Sequence, residues 1–309
     1  MKIGYFADGP WSHKALEALL RNEHEICFIV PRYDTQDLIL REWSDKLNVP
    51  FLPVENVNSA QFIKLLSEFH AELFISMSFN QILKKEIIAF APKGFINCHA
   101  GMLPFYRGRN PLNWALINGE RSLGVTAHFI DEGIDTGDII FQDIIPISNE
   151  DTYSTLLDKA IQACPTCLCK AVELLERDNF IPIRQDTIHP TGTYFGQRRV
   201  GDEVLDWHLS SERIYNFVRA ITKPGPGART FVNGKKEIAI ITSRMIENAP
   251  EYISTMGEVV GKNSSGIIVK TGTSTILVTK VEDIELGIEH IPAYRIGTRL
   301  TPHRTNAEI

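Results

Sequence analysis

The first 130 residues alternate short apolar runs with amphipathic stretches, and this alternation restricts the fold more than anything else in the chain. Lys2–Ala7, His24–Val30, Phe51–Val54 and Ala71–Met77 read as strands. Ser12 fits the cap of a helix running through Leu20, residues 36–47 read as helix, and Asn58 fits the cap of a helix ending near His70. Strands alternating with helices predict an α/β fold with a doubly wound, mostly parallel sheet. Such sheets bind ligands beyond the carboxyl ends of their strands. The turn Asp8–Ser12 lies at such an end, but it carries no G-x-G-x-x-G and gives no support to a dinucleotide. Trp11, Ser12 and His13 are candidate ligand contacts there, with an ordinary βα turn as the equal alternative.

The densest polar pattern lies at another strand end, in Phe95-Ile-Asn-Cys-His-Ala-Gly-Met-Leu-Pro-Phe-Tyr-Arg-Gly-Arg-Asn-Pro111. Asn97 and His99 are two apart, so a strand points both to one face. Gly101, Pro104 and Gly108 then turn the chain into a loop. Leu123–Ile130 reads as a further strand with Thr126 and His128 on one face, and His128 is most simply a sheet residue. An acidic loop, Asp131-Glu-Gly-Ile-Asp-Thr-Gly137, follows. Its carboxylates and Asp138 compete as partners for His99. An amide, an imidazole and a carboxylate suit acyl transfer to an amine. The imidazole takes the proton, the amide N–H meets the oxyanion and the carboxylate orients the imidazole.

Asn97-Cys-His99, the Leu103-Pro104 that follows and Asp135 before Gly137 resemble the Asn/His/Asp signature of the N10-formyltetrahydrofolate-dependent formyltransferases. The resemblance implies roles for particular residues. Asp135 becomes the third catalytic residue beside Asn97 and His99. The loop after Met77 becomes part of a slot for the folate pteridine, with Met77, Phe79, Ile82, Ile134 and Asp135 as contacts; core packing is the alternative for the apolar ones. Tyr106–Trp114 looks most like the sugar-nucleotide N-formyltransferases. Tyr106, Arg107 and Arg109 are substrate candidates there, beside Trp11 and Ser12 of the first βα turn. An arginine fork suits a pyrophosphate, and a salt bridge or surface charge is the competing role for either arginine.

Asn110 fits the cap of a helix to Asn118, with Pro111 in its first turn. Thr152–Asp178 reads as a long helix that Pro165 should kink or split. Cys164, Cys167 and Cys169 lie on it; without an evident fourth ligand they read as a buried helical face rather than a metal site. The expected organisation is a catalytic domain over 1–190, a linker over 191–205 and a second domain over 206–309. In the last, Asn233-Gly234 signals a hairpin and several short strands follow. The resemblance implies a small barrel like the oligonucleotide-binding fold there.

Charge bears on the acceptor. The chain carries a net charge of −6 and a pI near 5.9. Residues 201–309 hold 13 Lys/Arg and 13 Asp/Glu. Grip on a polyanion calls for a basic balance. The expected reaction is therefore formyl transfer from N10-formyltetrahydrofolate to the amine of a nucleotide-linked amino-dideoxy sugar for a surface polysaccharide. The rivals are methionyl-tRNA formyltransferase, phosphoribosylglycinamide formyltransferase, a formyl-folate hydrolase and a non-catalytic binding module. This chemistry requires no metal. The chain has no apolar run of membrane-spanning length and opens directly on a strand, so a cytoplasmic protein is expected, with a homodimer through the barrel plausible.

Overall fold

The computed structural model describes Met1–Arg304, and contacts group these residues into two compact units. The first comprises Met1–Pro111, Ser122–Pro146 and Asp158–Phe195; the second comprises Leu112–Arg121, Ile147–Leu157 and Gly196 onward.

The first unit opens with β1 (Lys2–Ala7), α1 (Gly9–Arg21), β2 (Glu25–Pro31), α2 (Leu38–Leu47), α3 (Ala60–Leu66), β3 (Leu73–Met77), α4 (Lys85–Ile88) and β4 (Phe95–His99). After β5 (Arg107–Gly108) and α5 (Pro111–Ile117), all but the first residue of which belongs to the second unit, come β6 (Ser122–Phe129) and β7 (Ile139–Pro146). A six-stranded sheet runs in the order β2-β1-β3-β4-β6-β7. The first four strands are parallel, as the alternation predicts, while β6 and β7 return antiparallel. The last elements of this half are α6 (Tyr153–Leu175), which belongs to it from Asp158 on, α7 (Gln185–Ile188) and the short β8 (Tyr194–Phe195), which pairs in parallel with β5.

Period-two alternation sorts the sheet's residues into two layers. Ile3, Tyr5, Ile75, Ile96, Val125 and Ala127 face one way, packing with Leu16 and Leu19 of α1 and Cys164, Leu168 and Val172 of α6. Phe6, Phe28, Phe74 and Phe95 face the other way, with Phe62, Leu66 and Ile87. Their rings meet at centroid distances of 4.8 to 5.8 Å in edge-on and tilted pairs. Asn97 and His99 have the parity of Phe95, so they continue the aromatic face as polar side chains.

Several local expectations are corrected. Phe51 makes only an isolated bridge to Ile29 rather than a full strand; Pro50 and Pro53 deprive that segment of donors. The first helix starts at Gly9, with Asp8 at the cap position and Pro10 in the first turn. Ser12 therefore lies inside α1, fully buried, and donates to the Gly9 carbonyl at 2.8 Å. Ser59, not Asn58, caps α3 by accepting from Phe62 N. Asn58 instead ties Ile82 O and Lys84 N. Asn110 has a φ of 55°, outside the extended backbone of a cap. Pro165 sits within α6, which runs through it unbroken.

The second unit contains α8 (Ser211–Ile221), capped by Ser210 as expected, and β9 (Ala228–Val232), β10 (Lys236–Met245), β11 (Val259–Asn263), β12 (Gly266–Lys270), β13 (Thr275–Asp283), β14 (Ile288–His290) and β15 (Leu300–Thr301). Its sheet runs β11-β12-β13-β10-β9-β15, with β14 on β13. Backbone bonds from Val259 to Thr298 and from Leu300 to Gly257 join its two ends, so the sheet curls round on itself. The β9–β10 turn has φ of 49° at Asn233 and 67° at Gly234, as a type I′ hairpin requires. Among the described residues no helix is long and apolar enough to cross a membrane.

Trp207 anchors this second core. It is 2% exposed, and its indole donates to Thr230 Oγ1 at 3.1 Å. Trp207→Ala should cost roughly 3–5 kcal/mol, as removal of a buried aromatic does, and equilibrium urea unfolding followed by circular dichroism measures it.

Candidate active site

The site grows from register. On the β4–β6 ladder Asn97 lies opposite His128 and His99 opposite Thr126. Cross-strand partners share a face, so an amide and two imidazoles meet at the end of the aromatic layer. The loop after β6 then carries Asp135 onto them. Asp135 has a φ of 55°, a left-handed backbone that Asp tolerates better than most residues. Its Oδ2 lies 3.7 Å from His99 Nδ1 and its Oδ1 lies 3.6 Å from His128 Nε2. The structure thus brings Asn97, His99 and Asp135 together, and adds His128. The alternation that put His128 beside Thr126 was the available signal.

Hydrogen-bond chemistry assigns the protons. His128 Nδ1 donates to the Phe129 carbonyl at 2.8 Å, so in the neutral ring Nε2 accepts from Asn97 Nδ2 at 3.3 Å. The Asn97 amide has a second N–H beyond this bond. His99 Nε2 donates to the Tyr106 carbonyl at 2.7 Å, leaving Nδ1, on the Asp135 side, as the basic nitrogen. Gly101 lets this ring approach, because a Cβ there would lie 2.5 Å from Nε2.

Asp135 is held from two sides. Gly108 N donates to its Oδ2 at 2.8 Å. Gln185 Nε2 donates to the Asp135 and Gly137 carbonyls at 2.9 and 2.7 Å. The Gln185 amide oxygen accepts from Arg107 Nε and Nη2 at 3.0 and 2.7 Å, and Arg107 Nη1 reaches Thr191 O at 3.2 Å. Arg107 is 8% exposed. Its guanidinium ties loop to loop and is not a surface charge. Gln185 carried no motif and was missed. Gly108, at a φ of 93°, meets the chain closely; a Cβ there would stand 2.4 Å from Phe195 O.

The remaining candidates separate by exposure. Ile82 and Ile134 are 81% and 62% exposed on the loops after β3 and β6. Met77 is buried in the sheet's core, and Phe79 packs its ring on Phe6 at 5.7 Å. Arg109 is exposed, and its backbone N–H donates to Phe195 O. Tyr106 stacks on Phe195 with centroids 5.0 Å apart. Trp11 is half-buried and packs against the sheet's core. His13 donates to Asp37, whose carboxylate also accepts from Gly9 N. Cys164 and Cys167 are buried, with Cys164 Sγ 2.9 Å from Cys98 Sγ; all five thiols are free. Among the described residues no group of three His, Cys, Asp or Glu is arranged to hold a metal ion.

An α/β sheet that ends in an amide, a tautomer-fixed imidazole and an oriented carboxylate has the parts that acyl transfer uses. Residues 1–172 match the formyl transferase model, and residues 199–289 match that of the formyl transferase C-terminal domain. The chain belongs to the formyl transferase family. A methionyl-tRNA formyltransferase of Desulforamulus reducens is 30% identical over 290 residues, covering 91% of this chain and 90% of its own. Among solved structures, WlaRD, a sugar 3N-formyl transferase in the presence of dTDP and 5-N-formyl-THF, superposes with a TM-score of 0.68 at 22% identity, covering 90% of this chain and 97% of its own. An N-formyltransferase from Helicobacter canadensis, in complex with folinic acid and dTDP-3-aminofucose, gives 0.64 at 21%, covering 90% and 99%. These two likenesses establish the shared fold.

Two outcomes are expected of the site. Asn97→Ala, His99→Ala and Asp135→Asn should each lower kcat by about 10²–10⁴-fold, with unchanged circular dichroism; steady-state kinetics checks this. Burial pushes the His128 imidazole below its ordinary 6.5, with the Asp135 charge opposing and His99 adding to it. The folded protein then binds fewer protons there than the unfolded chain. The resulting stability is full above pH 6.5 and is lost as pH falls through the lower folded value. Urea midpoints should therefore drop from pH 7 to pH 5 more steeply in wild type than in His128→Gln.

Proposed function

We propose that the chain is a sugar-nucleotide N-formyltransferase that moves a formyl group from N10-formyltetrahydrofolate to the amine of a nucleotide-linked amino-dideoxy sugar. The observation that carries the chemistry is His99 with Nε2 donated to Tyr106 O and Nδ1 turned toward Asp135. His99 Nδ1 takes the proton of the attacking amine. The resulting imidazolium lies beside the Asp135 carboxylate, 3.7 Å from His99 Nδ1. The second Asn97 N–H meets the oxygen that becomes negative as the formyl carbon turns tetrahedral. His99 then returns its proton to the departing folate nitrogen, so acid and base roles balance. No side-chain nucleophile is needed, because the formyl group arrives activated.

The exposed apolar Ile82 and Ile134 fit a flat folate ring between the two loops. The solved neighbours named with folinic acid and 5-N-formyl-THF support that donor. For the acceptor, support comes from charge balance beyond residue 200, from exposed Arg109 and from the neighbour named with dTDP-3-aminofucose. A second reading, methionyl-tRNA formyltransferase, is favoured by the name of the Desulforamulus reducens relative.

A formyl-transfer assay separates the two. The enzyme is supplied with N10-formyltetrahydrofolate and offered 3-amino- and 4-amino-dideoxy sugars on thymidine, uridine and guanosine diphosphate carriers, alongside methionyl-tRNA. Turnover of one sugar is expected, with Arg109→Ala raising the KM for that sugar about tenfold or more and leaving kcat within threefold. Turnover of tRNA alone overturns the acceptor and keeps the chemistry. Formate release without an acceptor points to a hydrolase.

A further inference from the structure

We propose that Thr193 is a positioning residue for His99, holding the tautomer in which the basic nitrogen faces Asp135. The inference deepens the proposed formyl transfer, and only its kinetic part rests on that reading.

A carbonyl oxygen accepts and never donates, so the 2.7 Å contact puts the hydrogen of His99 on Nε2. The opposite tautomer sets a nitrogen lone pair against the carbonyl lone pairs and leaves an N–H, with no lone pair, on the Asp135 side. The place of one backbone oxygen, Tyr106 O, therefore decides which nitrogen of His99 is the base.

Tyr106 has a φ of 59°, a conformation that a bulky side chain keeps only when its surroundings over-determine it. Thr193 supplies much of that determination. Its Oγ1 accepts from Tyr106 N at 2.9 Å, its carbonyl accepts from Arg107 N at 3.1 Å and its own N–H donates to Pro104 O at 3.2 Å. It thus grips the chain on both sides of the Tyr106 carbonyl. Two of these bonds are backbone bonds and survive any substitution except proline. The third belongs to the threonine side chain alone. Thr193 is exposed and lies at the mouth of the β5–β8 pair, so its replacement leaves the core untouched.

Valine keeps the shape of threonine and removes the acceptor; serine keeps the acceptor. The test uses the full-length protein labelled with ¹⁵N-histidine. Long-range ¹H–¹⁵N correlation spectra, with the His99 signals assigned by their loss in His99→Gln, read the tautomer directly. Wild type and Thr193→Ser should show the Nε2–H form. Thr193→Val should show a mixture with the Nδ1–H form, and its kcat should fall about tenfold with the KM for the formyl donor within twofold. An Nδ1–H form in wild type overturns the inference. So does a Thr193→Val protein that keeps the pure Nε2–H form, whether or not its kcat falls, since a lower kcat with an unchanged ring would be a loop effect. A protein whose tautomer responds as expected, yet which formylates no acceptor, supports the inference and overturns the proposed function.

Discussion

The hydrogen-bonded pair of Arg107 and Gln185 is the contact on which the geometry of the site depends. Arg107 belongs to the loop after β4, Gln185 to the short helix after α6, and the Gln185 amide also clasps the carbonyls of Asp135 and Gly137. One side chain therefore links the loop that presents Tyr106 O to the loop that presents the Asp135 carboxylate. A buried guanidinium is costly to desolvate and is held only where oxygens meet its fork. Gln185 and Thr191 provide them, with the Tyr194 ring 5.2 Å below. This knot explains how two loops, each rich in glycine, stay within hydrogen-bonding register of a strand end.

The strand end itself is prepared by the core. On β4 the same face that offers Phe95 to the aromatic layer offers Asn97 and His99 two and four residues later. The parity that buries one ring aims Asn97 and His99. Antiparallel β6 contributes in the same way: Val125 and Ala127 pack into one layer while Thr126 and His128 face the site. Thr126 is fully buried and donates to Gly101 O at 2.7 Å, so it secures the turn that follows His99. The packed core and the polar site are thus two products of one period-two pattern.

Much of this was legible in the chain because it depends on local periodicity. The parallel strands, the Asn97/His99 face, the Asn233-Gly234 hairpin and the Ser210 cap all follow from residues close in sequence. The antiparallel return of β6 and β7 was not legible, since strand direction depends on how a connection runs through space. The bonds of Arg107 were not legible for a related reason. Its partner Gln185 lies 78 residues away and carries no pattern of its own. His128 looked like a sheet residue and is one, yet the β4–β6 register also makes it the acceptor of the Asn97 amide. Ser12 failed as a cap because Asp8 and Pro10 start the helix one turn sooner.

In the proposed mechanism Asn97, His99 and Asp135 meet only the formyl carbon, its oxygen and the attacking nitrogen. Those atoms are common to every N-formyl transfer, so a family can keep this constellation while its acceptors range from a transfer RNA to a nucleotide sugar. Recognition of the rest of the acceptor has to come from elsewhere: from exposed side chains on loops, for which Arg109 is the proposed example, and from the field of the surrounding surface. A polyanion would be drawn by an excess of positive charge that residues 201–309, balanced at 13 of each sign, do not supply. A small diphosphate needs only one or two well-placed donors, whose effect is local and survives a neutral surround. Charge balance beyond the catalytic half therefore weighs on the choice of acceptor in a way that the catalytic residues, by their chemistry, do not.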